Sequence, residues 1–366
     1  MKSHSVRIGT LTYQRANNYG AALQMLALQK VLESKGIDGK VIDYVSPYMS
    51  RPYSIAALRR KGLIRYILGL CYAFVRLPRI FAFSKFREDL SFTDPLGSKE
   101  LARLNKEFDG FIVGSDQVWN DDINNGDPAY FLSFVEDSRK KLSYAASLGF
   151  SSLQGEKLQT YKVALSDFSA LNVREESAKK LISELVPGAV NLTLDPTLLL
   201  TATEWSGLIE RKRIIQGKYI FLYHITFSRE LVEFAHREAR RRGCRLVAVP
   251  FPLGKFVRHA PQLSAGPYEW LRLVRDSEMV VTDSFHGCAM SINFNKEFTV
   301  QATGASTRIV SLLDRYNLQV CYLSNRAKGN DETMIDWEAV NHKLSLDRRK
   351  SLEILDDLIG LANLAR

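Results

Sequence analysis

Short apolar runs alternate along this chain with stretches whose apolar residues recur at helical spacing. Val6–Tyr13 predicts a strand. Tyr19–Ser34 predicts a helix, with Leu23, Leu26, Ala27 and Val31 on one face and Gly36 as its stop. Lys40–Val45, Phe108–Gly114, Leu142–Ala146, Ala170–Val173 and Val190–Leu194 predict further strands. The second half repeats the rhythm, with strands at Tyr219–His224, Arg245–Val249, Met279–Thr282 and Phe298–Gln301. Helices are expected between them at Arg229–Arg242, Pro267–Arg275 and Cys288–Phe294, and Leu346–Leu364 predicts a closing helix. Strands alternating with helices imply βαβ units and parallel sheets covered on both faces. Two such series in tandem predict an α/β chain of two Rossmann-like, doubly wound domains facing a cleft. The first domain is expected over residues 1–205, the second over 206–345 and the terminal helix over 346–366, with the crossover near Thr201–Gly217. Ligands of such sheets sit at the carboxyl ends of the strands.

One stretch, within an insertion expected over residues 51–90, breaks the rhythm. From Arg51 to Arg87 no acidic residue occurs, and arginines and lysines are interleaved with Leu63, Tyr66, Leu70, Phe74, Ile80 and Phe81. Such a basic, aromatic insertion suits the surface of an anionic membrane. The alternative is a helical insertion packed on the first domain with its arginines in water. The longest apolar run, Leu68–Val75, is too short to span a bilayer. The N-terminus enters a strand pattern without an apolar leader, so the chain is expected in the cytoplasm, at the inner membrane face if the insertion binds lipid.

Composition adds little to this. A length of 366 residues suits two domains, and the net charge of +10 favours anionic partners. Nucleic acid is disfavoured, since zinc-finger spacing, an aromatic RNP-like strand and a long basic tail are all lacking. Cys71, Cys244, Cys288 and Cys321 are far apart, which predicts free thiols, neither a disulfide framework nor a structural zinc site.

The chemistry concentrates in four places. In Val280-Val281-Thr282-Asp283-Ser284-Phe285-His286-Gly287 a strand ends in a polar turn and an apolar helix begins at once. Asp283 or Ser284 would cap that helix, and Gly287 would let a ligand approach. The N–H groups of Gly287 and Cys288 would favour an anion beside His286; otherwise His286 is an ordinary turn residue. In Gly114-Ser115-Asp116-Gln117-Val118-Trp119-Asn120, Asp116 is a candidate base. There Trp119 is a candidate platform for a sugar, and Gln117 and Asn120 are candidates for binding its hydroxyls; the alternative is a polar turn with a packed tryptophan. Arg174, in Val173-Arg174-Glu175-Glu176-Ser177, ends a strand and could clamp a carboxylate or phosphate, or could pair with Glu175, Glu176 or Asp195. Asn17-Asn18-Tyr19-Gly20 opens the first helix as a substrate-facing loop, with Asn18 and Tyr19 as acceptor-binding candidates. Cys288 beside His286 suggests a thiol nucleophile, but a small thiol on an apolar helix face is ordinarily buried and inert. No dinucleotide fingerprint, Walker motif, HExxH or GxSxG is present.

Taken in order, Asn18-Tyr19-Gly20-Ala21-Ala22-Leu23-Gln24, Gly114-Ser115-Asp116-Gln117-Val118-Trp119-Asn120, Ser143-Tyr144-Ala145-Ala146-Ser147, Val173-Arg174-Glu175-Glu176-Ser177, Asp195-Pro196-Thr197-Leu198-Leu199 and Asp283-Ser284-Phe285-His286-Gly287 resemble the polysaccharide pyruvyl transferase family. The resemblance runs from about Ile8 to Arg308 and leaves the basic insertion outside it. It implies an architecture similar to GT-B glycosyltransferases, phosphoenolpyruvate as donor, and donor roles for His286 and Arg174. It also implies a pyruvate ketal on a sugar of a surface polysaccharide, and the basic insertion favours a lipid-linked oligosaccharide as the acceptor. On this view Ser284, Gly287 and Cys288 complete the donor site, and neither a metal nor a cofactor beyond phosphoenolpyruvate is needed. The competing expectations are a GT-B glycosyltransferase using a sugar nucleotide and a scaffold without activity.

Overall fold

The computed structural model describes residues 5–48, 77–249, 264–302, 307–326 and 334–365. Residues 51–76, most of the basic insertion, lie outside the described residues.

The first unit is built on β1 (Arg7–Leu11), which pairs in parallel with β2 (Asp38–Val41) on one side and β3 (Gly110–Val113) on the other. β4 (Lys141–Ser143) extends the sheet to the order β2-β1-β3-β4. Bridges Leu142↔Ala170 and Ala146↔Val173 then carry it on to β5 (Leu171–Val173) and β6 (Val190–Leu192). β3 is buried at every residue, as a parallel strand covered on both faces must be.

Helix α1 (Tyr19–Ser34) follows β1 and starts where Asn18 caps it, Oδ1 accepting from the Ala21 N–H at 3.2 Å. It is buried almost all round rather than on one stripe, because it is pressed between the first sheet and the second unit. The polar residues this buries are satisfied. Gln24 donates to Thr12 Oγ1 at 2.9 Å and accepts from the Ser115 N–H at 3.2 Å, and Gln29 bonds to Gly39 and Ser91. Helix α2 (77–87) crosses nearby, and α3 (Gly155–Ser166) and α4 (Glu176–Leu185) complete the unit.

The second unit is a parallel sheet of order β10-β9-β7-β8: β7 (Tyr219–Tyr223), β8 (Arg245–Ala248), β9 (Met279–Thr282) and β10 (Glu297–Val300). Around it lie α5 (Arg229–Arg241), α6 (Pro267–Asp276), α7 (Phe285–Asn293) and α8 (Thr307–Arg315). Among the described residues the predicted strands and helices are present, with ends shifted by at most four residues apart from the terminal helix. The largest shift among those facing the cleft is α7, which begins at Phe285 and not at Cys288, so His286 lies in its first turn.

The terminal helix α9 begins at Trp337, nine residues before the predicted Leu346. Its early turns are largely polar, and Trp337, Val340 and Leu344 extend the apolar stripe backwards. Asp336 caps it, and it returns to the first unit. Ser351 Oγ accepts from the Leu194 N–H at 3.0 Å, Arg348 donates to the Leu198 carbonyl, and Ala362 packs against Gly110. A β-carbon at Gly110 would stand 2.6 Å from that of Ala362, so β3 and α9 approach this closely only over glycine. One hydrophobic core runs through both units, from Leu23 and Leu26 to Trp205, Trp270 and Leu355. Among the described residues no helix is long and apolar enough to cross a membrane.

Candidate active site

The carboxyl ends of β1, β3, β7 and β9 converge on a cleft of about 600 Å³ between the two units, lined by Asn18, Asp116, Gln117, Asn120, His286 and Arg308 among others, and Arg174 at the end of β5 stands just behind it, 3.6 Å from Asp116. Another concavity of similar size lies beside α3 between Phe131 and Tyr161, but its lysines are spent on local pairs, Lys157–Asp121 and Lys141–Asp167.

At the head of the cleft is a fully buried carboxylate, Asp195. Its Oδ2 accepts from Arg174 Nη1 at 2.6 Å and from Ser115 Oγ at 2.9 Å, and His286 Nε2 stands 3.6 Å from the same atom. Its Oδ1 accepts from the Thr197 N–H and hydroxyl at 3.0 and 2.7 Å. Burial by itself would raise the Asp195 carboxyl, but the His286 imidazole, then Arg174 and Thr197, hold it well below the usual carboxylate range. Arg174, at the end of β5, therefore pairs with Asp195, one of its alternative partners, and Glu175 is more distant at 3.8 Å. Its guanidinium also lies 4.7 Å from the centroid of the Phe285 ring. Burial opposes its charge, yet Asp195, Asp116 and Glu175 keep Arg174 above its ordinary value. Arg174 Nε and Nη2 and His286 Nε2 are buried and have no hydrogen-bond partner among the described residues.

Gly20 fixes the imidazole from the other side. A β-carbon there would overlap the His286 ring, so α1 of the first unit and α7 of the second touch through glycine against imidazole. The glycine of the Asn18-Tyr19-Gly20 turn is thus a site residue by packing.

Arg308, in the first turn of α8, completes the cluster; nothing in its sequence context marks it. Its Nη1 is 3.8 Å from Asp116 Oδ1, and with the Gln117 amide turned to its favoured orientation the amide oxygen accepts from the guanidinium at 3.0 Å. Burial, then the like charge of Arg174, push it below the usual arginine range, although it stays protonated. Asp116 has φ of 78°, in the left-handed region, and stands between the two guanidiniums, 3.6 Å from Arg174 Nη2. That is the position of a counter-ion before it is that of a base.

Several predicted roles need correction. Trp119 cannot meet a sugar: it is fully buried, stacked on Phe131 at 6.2 Å, and its Nε1–H donates to the Tyr130 carbonyl. Tyr19 is equally buried, stacked on Trp270 at 5.6 Å with its hydroxyl donating to the Ala265 carbonyl, and joins the two units instead of facing an acceptor. The Gly287 and Cys288 N–H groups are already spent, on Ser284 Oγ at 3.4 Å and the Ser284 carbonyl at 3.1 Å. The earlier start of α7 makes Phe285 and His286 the residues whose N–H groups lack an intrahelical acceptor. Ser284 is the cap; Asp283 instead accepts from the Ile225 and Thr226 N–H groups at 2.6 and 2.7 Å. Gln117, Asn120 and Asn18 line the cleft, with the Asn120 and Gln117 amides 2.7 Å apart. Burial pushes the Cys288 thiol well above its ordinary value. Cys288→Ala is accordingly expected to leave turnover unchanged; loss of turnover in a variant that still melts cooperatively would restore a thiol mechanism.

The family model for polysaccharide pyruvyl transferases matches residues 18–302. The chain belongs to the polysaccharide pyruvyl transferase family. It is thereby a transferase. The match spans the Asn18 turn, the Asp116 loop, Arg174, Asp195 and His286, and stops short of Arg308. No curated protein matches the chain significantly. Among solved structures, UDP-GlcNAc 2-epimerase from Methanocaldococcus jannaschii superposes with a TM-score of 0.53 at 12% identity, covering 93% of this chain and 92% of that one. The glycosyltransferase SnogD from Streptomyces nogalater gives a TM-score of 0.48 at 11% identity, covering 98% and 100%. UDP-GlcNAc 2-epimerase from Neisseria meningitidis bound to UDP-GlcNAc gives 0.47 at 12%, covering 97% and 99%. The pyruvyl transferase has two Rossmann-like α/β units of parallel strands facing a cleft, as its alternation of strands and helices predicted.

Among the described residues no group of three or more His, Cys, Asp or Glu side chains is placed to hold a metal ion.

Proposed function

We propose that this transferase takes the enolpyruvyl unit of phosphoenolpyruvate and closes it as a ketal on two hydroxyls of one sugar in a surface-polysaccharide precursor. The observation that carries this is the pair of orphaned donors, Arg174 Nε and Nη2, buried beside His286 Nε2 at the head of the cleft. Buried guanidinium N–H groups without acceptors are costly, and the oxygens of a small, multiply charged anion are the partners that relieve them. Phosphoenolpyruvate carries a carboxylate and a phosphate side by side, which suits two guanidiniums, Arg174 and Arg308, and the first N–H groups of α7. Asp116, close to both arginines but beyond hydrogen-bond distance, balances their charge until the donor arrives.

In the reaction the methylene carbon of the donor gains a proton, and the adjacent carbon becomes cationic and is attacked by an acceptor hydroxyl. Phosphate leaves with the electrons of its C–O bond, and the second hydroxyl closes the ring. One hydroxyl proton replaces the proton delivered to carbon and the other leaves with phosphate, so no redox partner is required. His286 is the proton donor in this scheme, its Nε2 standing 3.6 Å from Asp195 Oδ2. Asn120 and Asn18, which line the same cleft, are left for the acceptor.

Titration with phosphoenolpyruvate should give saturable heat and titration with UDP-sugars none; the reverse would replace this function with that of a sugar-nucleotide glycosyltransferase. Mass spectrometry of lipid-linked oligosaccharides after incubation with phosphoenolpyruvate should show the gain of one pyruvate less water. Arg308→Ala removes a charge-assisted contact of about 2 kcal/mol, roughly a thirtyfold rise in donor KM. An unchanged donor KM would leave Arg308 as a partner of Asp116 and Gln117 only. Because guanidiniums and helix N–H groups neutralise the donor in this scheme, activity should survive EDTA, and strong inhibition by the chelator would contradict it.

A further inference from the structure

Helix α2 (77–87) has two unlike faces. Inward, Phe83 and Phe86 are buried, and the Arg79 guanidinium lies 4.6 Å over the Tyr19 ring and donates to the Asn17 carbonyl at 2.9 Å. Arg87 donates to Asn17 Oδ1 at 2.8 Å and to the Gln14 carbonyl at 3.3 Å. These arginines are spent on the chain itself, holding α2 to the 14–18 loop, whose Ala16 and Asn18 line the cleft. Phe86 also packs on Tyr268 of α6, ring centroids 4.9 Å apart, so α2 spans the junction of the two units at the rim of the cleft.

Outward, Leu77, Ile80 and Phe81 are exposed, Phe81 at 68%, and Ser84 and Lys85 continue the same face one to two turns on. An exposed phenylalanine flanked by leucine and isoleucine on one helical stripe is uncommon on a free surface. The sequence leading into it is one-sided in charge, although the Glu269 carboxylate lies near Ala82 of α2. By sequence, residues 51–76 leading into the helix contain Arg51, Arg59, Arg60, Lys61, Arg65 and Arg76 and no acid. Acids resume only at Glu88 and Asp89, where Asp89 accepts from the Tyr268 hydroxyl at 2.8 Å.

We propose that the outward face of α2 docks on an anionic lipid bilayer, Leu77, Ile80 and Phe81 entering the headgroup boundary and Lys85 meeting lipid phosphates. Charge complementarity selects this occupant: a strictly basic approach would repel a second copy of itself and attract an anionic surface. The consequence is geometric. The bilayer would lie against the cleft rim, so a lipid-carried acceptor could reach the cleft without leaving the membrane. The inference stands on α2 and its charge, and does not depend on the donor proposed above.

The test is co-sedimentation of the full chain with vesicles of phosphatidylglycerol or of phosphatidylcholine. Binding is expected to phosphatidylglycerol only, and should fall as salt shortens the Debye length from about 10 Å at 0.1 M to about 3 Å at 1 M. The double variant Ile80→Asp/Phe81→Asp should lower phosphatidylglycerol partitioning at least ~tenfold with a melting temperature changed by a few degrees at most, since Phe81 is mostly and Ile80 partly in water. In Phe81→Trp, the emission gained over wild type should be quenched by brominated phosphatidylglycerol. Absence of wild-type binding, equal binding to both lipids, a double variant that binds like wild type, an unquenched tryptophan, or light scattering showing that the double variant loses a dimer and not vesicle binding would each overturn the proposal.

Discussion

His286→Gln is expected to lower turnover by a factor of about a hundred to ten thousand while donor KM and melting temperature change little. The range is that of general acid catalysis by a single positioned group. The fold should survive because His286 Nε2 makes no hydrogen bond, its link to Asp195 being an approach at 3.6 Å. Glutamine keeps most of the ring's contact with Gly20 and loses only the titratable proton. The split between kcat and KM matters. A group that acts in the transition state lowers kcat, whereas one that only fills space against Gly20 would disturb stability or KM instead. Turnover near that of wild type would take His286 out of the mechanism and leave it as a packing residue between the units.

How much of this arrangement was legible in the sequence varies with the physics of each residue. The sheets were readable because parallel strands buried on both faces leave unbroken apolar runs, as in Phe111-Ile112-Val113 and Val280-Val281-Thr282. His286 and Arg174 were readable because they follow such runs directly, where side chains meet the cleft. Trp119 and Tyr19 misled for one reason: each follows a polar turn, and a large amphipathic ring there looks the same whether it faces ligand or core. Only the surrounding Phe131, Tyr130 and Trp270, all distant in sequence or in another element, decide it. The spent N–H groups of Gly287 and Cys288 follow from the true start of α7 three residues earlier, and helix ends are poorly marked when the first turn is apolar. Arg308 left no local signal, since its role comes from α8 delivering it across the cleft to Asp116 and Gln117. Asp195 was visible as one possible partner of Arg174 and as the first residue of the Asp195-Pro196-Thr197 motif, without a place in the site. That it also faces His286 and Ser115 depends on three strands ending at one point.

That position makes Asp195→Asn the most damaging single change expected for stability. The variant leaves Arg174 buried without its closest counter-ion, and breaking a buried pair typically costs 3–5 kcal/mol. Asp116 and Glu175 remain at 3.6 and 3.8 Å, and asparagine can still accept from Thr197, so a loss of about 3 kcal/mol at pH 7 is expected. The pH dependence separates this from a packing defect. Because the folded Asp195 is held well below the ordinary range, the folded protein keeps it charged where the unfolded chain, with a pKa of about 3.9, has begun to bind a proton. Its contribution is therefore complete above about pH 4 and is lost progressively as pH falls below that value. The gap in melting temperature between wild type and Asp195→Asn should be constant from pH 7 to about 5 and should narrow toward pH 3. A variant as stable as wild type at neutral pH, or a gap that persists unchanged into acid, would show that the Asp195 charge does not hold the cleft together. The same variant should lose most turnover, because without that charge the Arg174 guanidinium loses its closest partner beside His286.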